Sequence, residues 1–162
     1  MFLICVILEI WGYIDYTGVP VFLWKVLDMI PLLAACCFGL SFGILCLMPA
    51  VVSELAWFFI KGVPGALLFI ASFTAVILIG GCVYKVIMKS DFSEYKRTIL
   101  LFVNFQICLI IAEVFLHMLR HFILGKPEMT MSHFTYLTLS WGNVICIALF
   151  CSYLIFIKIR KL

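Results

Sequence analysis

The sequence predicts an all-α integral membrane protein, a bundle of four transmembrane helices preceded by a hydrophobic N-terminal segment. Of its 162 residues, 67% are hydrophobic and 12% are charged, compared with about 25% charged in an average soluble domain. The charges are clustered, and the uncharged stretches between the clusters exceed the roughly 20 residues needed to cross the core of a bilayer. We therefore predict that residues 1–162 form a single membrane domain.

The first apolar stretch, residues 1–24, is interrupted by Glu9, by Asp15 and by a Gly-Val-Pro sequence at 18–20. A cleaved signal peptide would begin with a basic region and end at a small-residue cleavage site, and this stretch has neither. We expect the segment to be half inserted into the membrane or to lie at its interface. A fifth transmembrane span is the alternative.

Uncharged stretches predict three transmembrane helices, at 29–53, 62–84 and 134–157. A fourth helix is predicted at 98–119, which is apolar over its first fifteen residues and then carries Glu113 and His117. The loops between these spans are short, so we expect any function to lie within the bundle or at its rims.

The distribution of lysine and arginine predicts how the bundle is oriented, because short cytoplasmic loops carry an excess of both. With both ends of the four-span unit in the cytoplasm, eight basic residues lie on the inner side and three on the outer side. The C-terminus is therefore expected in the cytoplasm, and the net charge of +3 indicates topology rather than nucleic-acid binding. The inner set is Lys25, Lys85, Lys89, Lys96, Arg97, Lys158, Arg160 and Lys161, and the outer set is Lys61, Arg120 and Lys126.

Small residues recur at intervals of four in the span 29–53, at Ala35, Gly39 and Gly43. On one helix this spacing forms a face that another helix backbone can approach closely. We expect this face to serve packing within the bundle, and a contact with a partner helix is the alternative.

Polar side chains form a stripe on the helix 98–119 and just beyond its end. At 100° per residue they share a sector of about 100°, and ionisable groups in a membrane span indicate a functional site. Asn143, near the middle of the last span, shares a helix face with His133, Tyr136 and Ser140, and we expect this face to meet the stripe. The resulting candidate polar seam consists of Gln106, Glu113, His117, Arg120, His121 and Asn143.

Three interpretations of the polar seam remain open. Glu113 can simply be paired with His117 or Arg120 inside the bundle, the seam can contact a partner protein or conduct protons, or its imidazoles can bind metal or haem. Haem between helices usually needs histidines from different spans, and only His133 could oppose the others. We therefore predict no catalytic residue, no metal and no cofactor.

Eight cysteines raise the alternative of a membrane redox protein, but all of them lie in apolar stretches and none forms a Cys-x-x-Cys pair. A free cysteine in such a setting behaves as a small hydrophobic residue. We expect most of them to be structural.

The sequence has no family motif and no constellation of nucleophile, base or phosphate-binding loop. We expect a small non-enzymatic protein of a bacterial inner membrane that contacts another membrane protein or an incoming macromolecule. Exclusion of superinfecting phage and immunity to a toxin are examples. A small proton-linked transporter, or an accessory subunit of a transport complex, is the first alternative, and a membrane redox protein is the second.

Overall fold

The computed structural model describes residues 3, 5–7, 10, 21–125 and 141–160, and these are α-helical except at short turns between the helices. Three helices, Leu40–Lys61, Gly65–Lys89 and Glu94–Leu124, are each long and apolar enough to cross a membrane, and Met29–Phe38 is a shorter apolar helix. The prediction of an all-α membrane bundle is confirmed. The helices are α1 (Val21–Phe38), α2 (Leu40–Lys61), α3 (Gly65–Lys89), α4 (Glu94–Leu124) and α5 (Trp141–Arg160).

The predicted span 29–53 is wrong, because the chain breaks and reverses at Gly39. This residue has φ 102° and ψ 168°, a backbone conformation essentially confined to glycine. Its N–H donates to the carbonyl of Ala35 (3.2 Å) at the end of α1, and its carbonyl accepts from the N–H of Gly43 (3.1 Å) at the start of α2. Two antiparallel helices, α1 and α2, therefore replace the single predicted helix.

Direct backbone contact closes this helical hairpin. A Cβ atom placed on Gly43 would lie 2.5 Å from the Cβ of Ala35 and 2.9 Å from its Cα. The predicted face of Ala35, Gly39 and Gly43 does not exist on one helix: Gly39 is the turn, and the other two residues pack against each other. At 1.5 Å per residue, the 18 residues of α1 rise about 27 Å, close to the thickness of the bilayer core.

The next two turns are short. After α2 ends, Gly62 adopts a left-handed conformation (φ 64°) and Pro64 precedes α3. After α3, the hydroxyl of Ser93 accepts from the backbone N–H of Lys96 (3.4 Å) and caps α4. Successive helices joined by three or four residues are antiparallel neighbours. The predicted spans 62–84 and 98–119 correspond to α3 and α4, which begin at Gly65 and Glu94 and end at Lys89 and Leu124.

Contacts between α3, α4 and α5 define the two ends of the bundle. The Asn104 side chain bonds to the carbonyl of Gly80 (3.0 Å) and Arg120 lies beside Gly65, so α3 and α4 run antiparallel. The Phe102 ring stacks on Phe150 with centroids 3.8 Å apart, and α5 returns alongside α4. Of the predicted span 134–157, the part before residue 141 lies outside the described residues.

One end of the bundle, here called the basic end, contains Gly39, the turn 90–93 and the C-terminal end of α5. The opposite end contains the turn 62–64 and Gly125. The hairpin at Gly39 moves the start of α1, and with it Lys25, away from the basic end. Lys25 therefore leaves the predicted inner set, and among the described residues six basic residues lie toward the basic end and three toward the opposite end.

Small side chains bring three helices together near the middle of the bundle. A Cβ atom on Gly80 of α3 would lie 2.7 Å from Sγ of Cys36 on α1 and 3.1 Å from Sγ of Cys108 on α4. Helix association in lipid depends on such close van der Waals packing. Around this contact the largest fully buried side chains form the core, including Leu32, Phe73, Ile77 and Phe105.

The N-terminal segment contacts the helical hairpin at one described point. Cys5 is buried in a small cluster with Ala34 of α1 and Cys46 of α2. This part of the segment therefore packs on the hairpin. The interruptions at Glu9, Asp15 and 18–20 lie outside the described residues, and the choice between an interfacial segment and a further span stays a prediction.

Replacing Gly43 with alanine should destabilise the bundle by about 1–3 kcal/mol, the usual cost of overpacking a tight contact. The added methyl group would collide with the backbone of Ala35. The matched control is Gly65→Ala, where the new Cβ meets its nearest neighbours, Arg120 and Leu124, at 3.8 and 3.9 Å. Unfolding in mixed micelles of sodium dodecyl sulfate, followed by circular dichroism, measures both. If Gly43→Ala and Gly65→Ala had the same free energy of unfolding, the close contact between Gly43 and Ala35 would be contradicted.

Candidate functional site

Helix α4 supplies most of the polar side chains inside the bundle. Its buried residues recur at intervals of three and four, as expected for one face of an α-helix. Polar groups therefore lie on the buried face or on its flank, where other helices cover them. The buried residues are Asn104, Phe105, Cys108, Leu109, Ala112, Glu113 and Leu116.

Two residues of the predicted polar seam meet directly. The amide Nε2 of Gln106 on α4 donates to Oδ1 of Asn143 on α5 at 2.8 Å, and Asn143 is only 4% exposed. Such a bond satisfies two amides that would otherwise lie in hydrocarbon, and in membrane bundles it contributes about 0.6 kcal/mol and at most about 1.7 kcal/mol. It joins α4 to α5 near the middle of the bundle.

Glu113 is the most deeply buried acidic or basic residue among those whose side chains are described, with 2% of its surface exposed. It follows Gln106 by two helical turns, about 10 Å along α4, on the same flank. His117, Arg120 and His121 continue along this flank to the end opposite the basic end and are half-buried. The side chain of Arg120 passes beside Gly65 of α3, with Nε 3.8 Å from where a Cβ would lie.

The predicted partners on the last span fall only partly within the described residues. His133, Tyr136 and Ser140 lie outside them, so their meeting with the stripe stays a prediction. Within the described part of the chain, no group of three histidine, cysteine, aspartate or glutamate side chains is arranged to hold a metal ion.

Asn104 is an interior polar residue that the predicted stripe misses. It is 7% exposed, its Nδ2 donates to the Gly80 carbonyl (3.0 Å), and its Oδ1 accepts from Sγ of Cys108 (3.6 Å). Two residues before Gln106, it points about 160° away from Gln106 on the helix. A single asparagine in an apolar run is a signal for such a bond, but the helical sector of the stripe excludes it.

Glu54 is also missed, because the predicted span ends at the preceding residue. The observed α2 continues to Lys61, which places Glu54 inside the helix and half-buried. It follows Leu47, a core residue, by seven positions and therefore lies on the same helix face. Further along α2, Nζ of Lys61 lies 3.9 Å from the centroid of the Trp57 ring.

No family model matches the chain, and no curated protein or solved structure matches it either. The site is therefore interpreted from its own residues alone.

A double-mutant cycle tests the bond that joins the two halves of the seam. Gln106→Leu and Asn143→Leu should each destabilise the protein, and their effects should be non-additive by about 0.6–1.7 kcal/mol. The control pairs Gln106→Leu with Ser152→Ala, because Ser152 bonds only locally to the carbonyl of Ala148 (2.8 Å). Additive effects for Gln106 and Asn143 in micelle unfolding experiments would exclude a direct interaction.

Proposed function

We propose that this protein acts without catalysis in a bacterial inner membrane, by contact with another membrane protein or with an incoming macromolecule. Exclusion of superinfecting phage and immunity to a toxin are the kinds of role intended. The proposal rests on the lateral surface of α2, because the connections that the structure describes are too short to form a separate binding domain.

The outer face of α2 supports this proposal. Within the most apolar 18-residue stretch of α2, only 22% of the residues are buried, compared with 44% in the corresponding stretch of α3 and 39% in that of α4. The side chains opposite the core face are large and project from the bundle, forming a continuous apolar strip from one end of the helix to the other. We call this strip the α2 outer face; its residues are Phe42, Leu45, Met48, Val52 and Phe59, which are between 48% and 78% exposed.

The distribution of basic residues between the two ends of the bundle supports a cytoplasmic C-terminus, which is part of the same proposal. Among the described residues, six basic residues lie toward the basic end and three toward the opposite end, and an excess of lysine and arginine marks the cytoplasmic side. With this orientation the start of α1, the turn at 62–64 and Glu54 lie toward the outside. An incoming macromolecule would therefore first meet the end that carries Arg120 and His121.

Photocrosslinking from the α2 outer face tests the contact. A benzophenone amino acid at Val52 or Phe59 should give the same discrete adduct in living cells, whereas one at Ile107, an equally lipid-facing position on α4 (52% exposed), should not. Mass spectrometry then identifies the partner. The proposal is wrong if neither α2 position gives an adduct, or if Ile107 gives the same one.

Proton-linked transport is the second candidate, and the burial of Glu113 favours it. A carboxyl group that is 2% exposed inside a membrane-spanning helix is costly unless it is protonated or partnered, and such residues commonly mark proton relays. Gln106, two helical turns from Glu113 on α4, and its partner Asn143 on α5 would then line the proton path.

Glu113→Gln separates the two candidates, because glutamine keeps the shape but cannot release a proton. Under the contact proposal, the variant should keep the crosslink from Val52 and change stability only. In a proton-linked transporter, it should abolish pH-gradient-driven dye quenching in proteoliposomes, with partial activity in Glu113→Asp. If Glu113→Gln loses dye quenching while Glu113→Asp retains part of it, and both variants keep their helicity, the result would favour transport over the contact proposal.

A further inference from the structure

Two buried thiols from different helices face the same point near the middle of the bundle. Sγ of Cys36 on α1 and Sγ of Cys108 on α4 lie 2.7 and 3.1 Å from where a Cβ of Gly80 would be. Because Gly80 has no side chain, α3 places nothing in front of the two sulfurs. The side chains of Cys36 and Cys108 are 0% and 1% exposed, so the pair is enclosed by the protein.

The two sulfurs are close enough to share one metal ion. The sum of the two distances, about 5.8 Å, is the upper limit of the Sγ–Sγ separation, and two metal–sulfur bonds in a line span roughly 4.6 Å. Both sulfurs can therefore bind the same ion after a small movement of their side chains.

The number of ligands restricts which ion the pair can hold. Among the residues that the structure describes, no group of three cysteine, histidine, aspartate or glutamate side chains could hold a metal ion. Zinc in structural sites takes four such ligands. Thiolates select soft ions, and soft ions with a filled d shell form stable complexes with two thiolates in a line. The pair therefore fits a soft, two-coordinate ion.

Charge balance in the apolar core favours a divalent ion. Two thiolates neutralise Hg²⁺, whereas Cu⁺ or Ag⁺ between them would leave one net negative charge. A net charge inside a membrane bundle is costly, and the pair belongs to the same buried cluster as Leu32, Ile77 and Phe105. A neutral complex of mercury with two thiolates can be buried there in place of the two neutral thiols.

A groove that opens sideways between α1, α4 and α5 leads toward the pair. Its lining includes Cys37 of α1, Leu101 of α4 and Cys146 of α5. Cys36 directly precedes Cys37, and Cys108 follows Leu101 by seven residues, on the same face of α4. A neutral mercury compound entering from the lipid would therefore pass two half-buried thiols and then reach the buried pair.

We propose that Cys36 and Cys108 form a binding site for a soft divalent metal ion, the mercuric ion, held in a line between two thiolates. With mercuric chloride, two S–H bonds and two Hg–Cl bonds break, two Hg–S bonds form, and two protons leave with the two chloride ions. No electron is transferred. The assignment goes beyond the proposed function and does not depend on it.

Retention of mercury against a competing monothiol tests this site. The full chain in detergent is loaded with mercuric chloride and then treated with excess N-acetylcysteine, and native mass spectrometry counts the ions retained. A lone cysteine should lose its ion to the competitor. Two thiols of one fold should keep it, because their second bond forms at a high effective concentration.

Serine variants locate the retained ion. Cys36→Ser and Cys108→Ser should each retain one mercuric ion fewer than the unaltered protein, and the double variant should lose no further ion. Cys82→Ser, at an exposed position on α3, is the matched control and should retain as many ions as the unaltered protein. Equal retention by the Cys36 and Cys82 variants would overturn the proposal, as would loss of all mercury from the unaltered protein to N-acetylcysteine.

Two measurements on the unaltered protein keep the proposal testable if the serine variants do not fold. With one equivalent of mercuric chloride, X-ray absorption should show two sulfur neighbours about 2.3 Å from mercury. Fragmentation in the mass spectrometer should leave the ion bridging a fragment of α1 and a fragment of α4. A single sulfur neighbour, three or more, or an ion that bridges other helices would contradict the site.

Discussion

Close backbone contact at a few small residues is the constraint on which the rest of this bundle depends. Lipid tails are as apolar as the helices, so burial of apolar surface does not drive the helices together, and close packing with interhelical hydrogen bonds must do so. Gly39 turns the chain, Gly43 admits Ala35 at van der Waals distance, and Gly80 admits two thiols from neighbouring helices. Gly81 similarly faces the backbone of Leu40, with 2.9 Å between a Cβ built there and its Cα.

These contacts determine where polar chemistry can lie. The bond from Asn104 to the Gly80 carbonyl requires α3 and α4 to be close, and a side chain at Gly80 would separate them. On the flank of α4, Gln106 reaches Asn143, and Glu113 lies on the same flank two turns further. Toward the basic end, Phe102 and Phe150 form the wall of a groove instead of a polar contact. Helix α4 thus meets α5 through polar side chains near the middle of the bundle and through aromatic side chains near the basic end.

The fold class and the positions of α3 and α4 could be predicted because uncharged runs between charge clusters report directly on membrane crossing. The pairing of Gln106 with Asn143 follows from helical periodicity, since each is a polar residue in an apolar run. The hairpin could not be predicted in this way, because hydropathy is equally high on both sides of Gly39 and a single glycine also occurs within helices. The predicted span excludes Glu54 because a charged residue is expected to end a membrane span, although the spacing of Glu54 from Leu47 places it on the inner face of α2. No motif in the sequence indicates a partner or a ligand.

The hairpin at Gly39 is tested most directly by the sidedness of three positions. Cysteines introduced at Val21, Lys61 and Lys89 can be labelled in intact cells with a membrane-impermeant maleimide, before and after the membrane is permeabilised. With α1 and α2 antiparallel, positions 21 and 61 lie on one side and position 89 on the other, so the first two should label alike and the third oppositely. Labelling of position 21 together with 89, and not with 61, would mean that one continuous helix crosses the membrane and would contradict the hairpin.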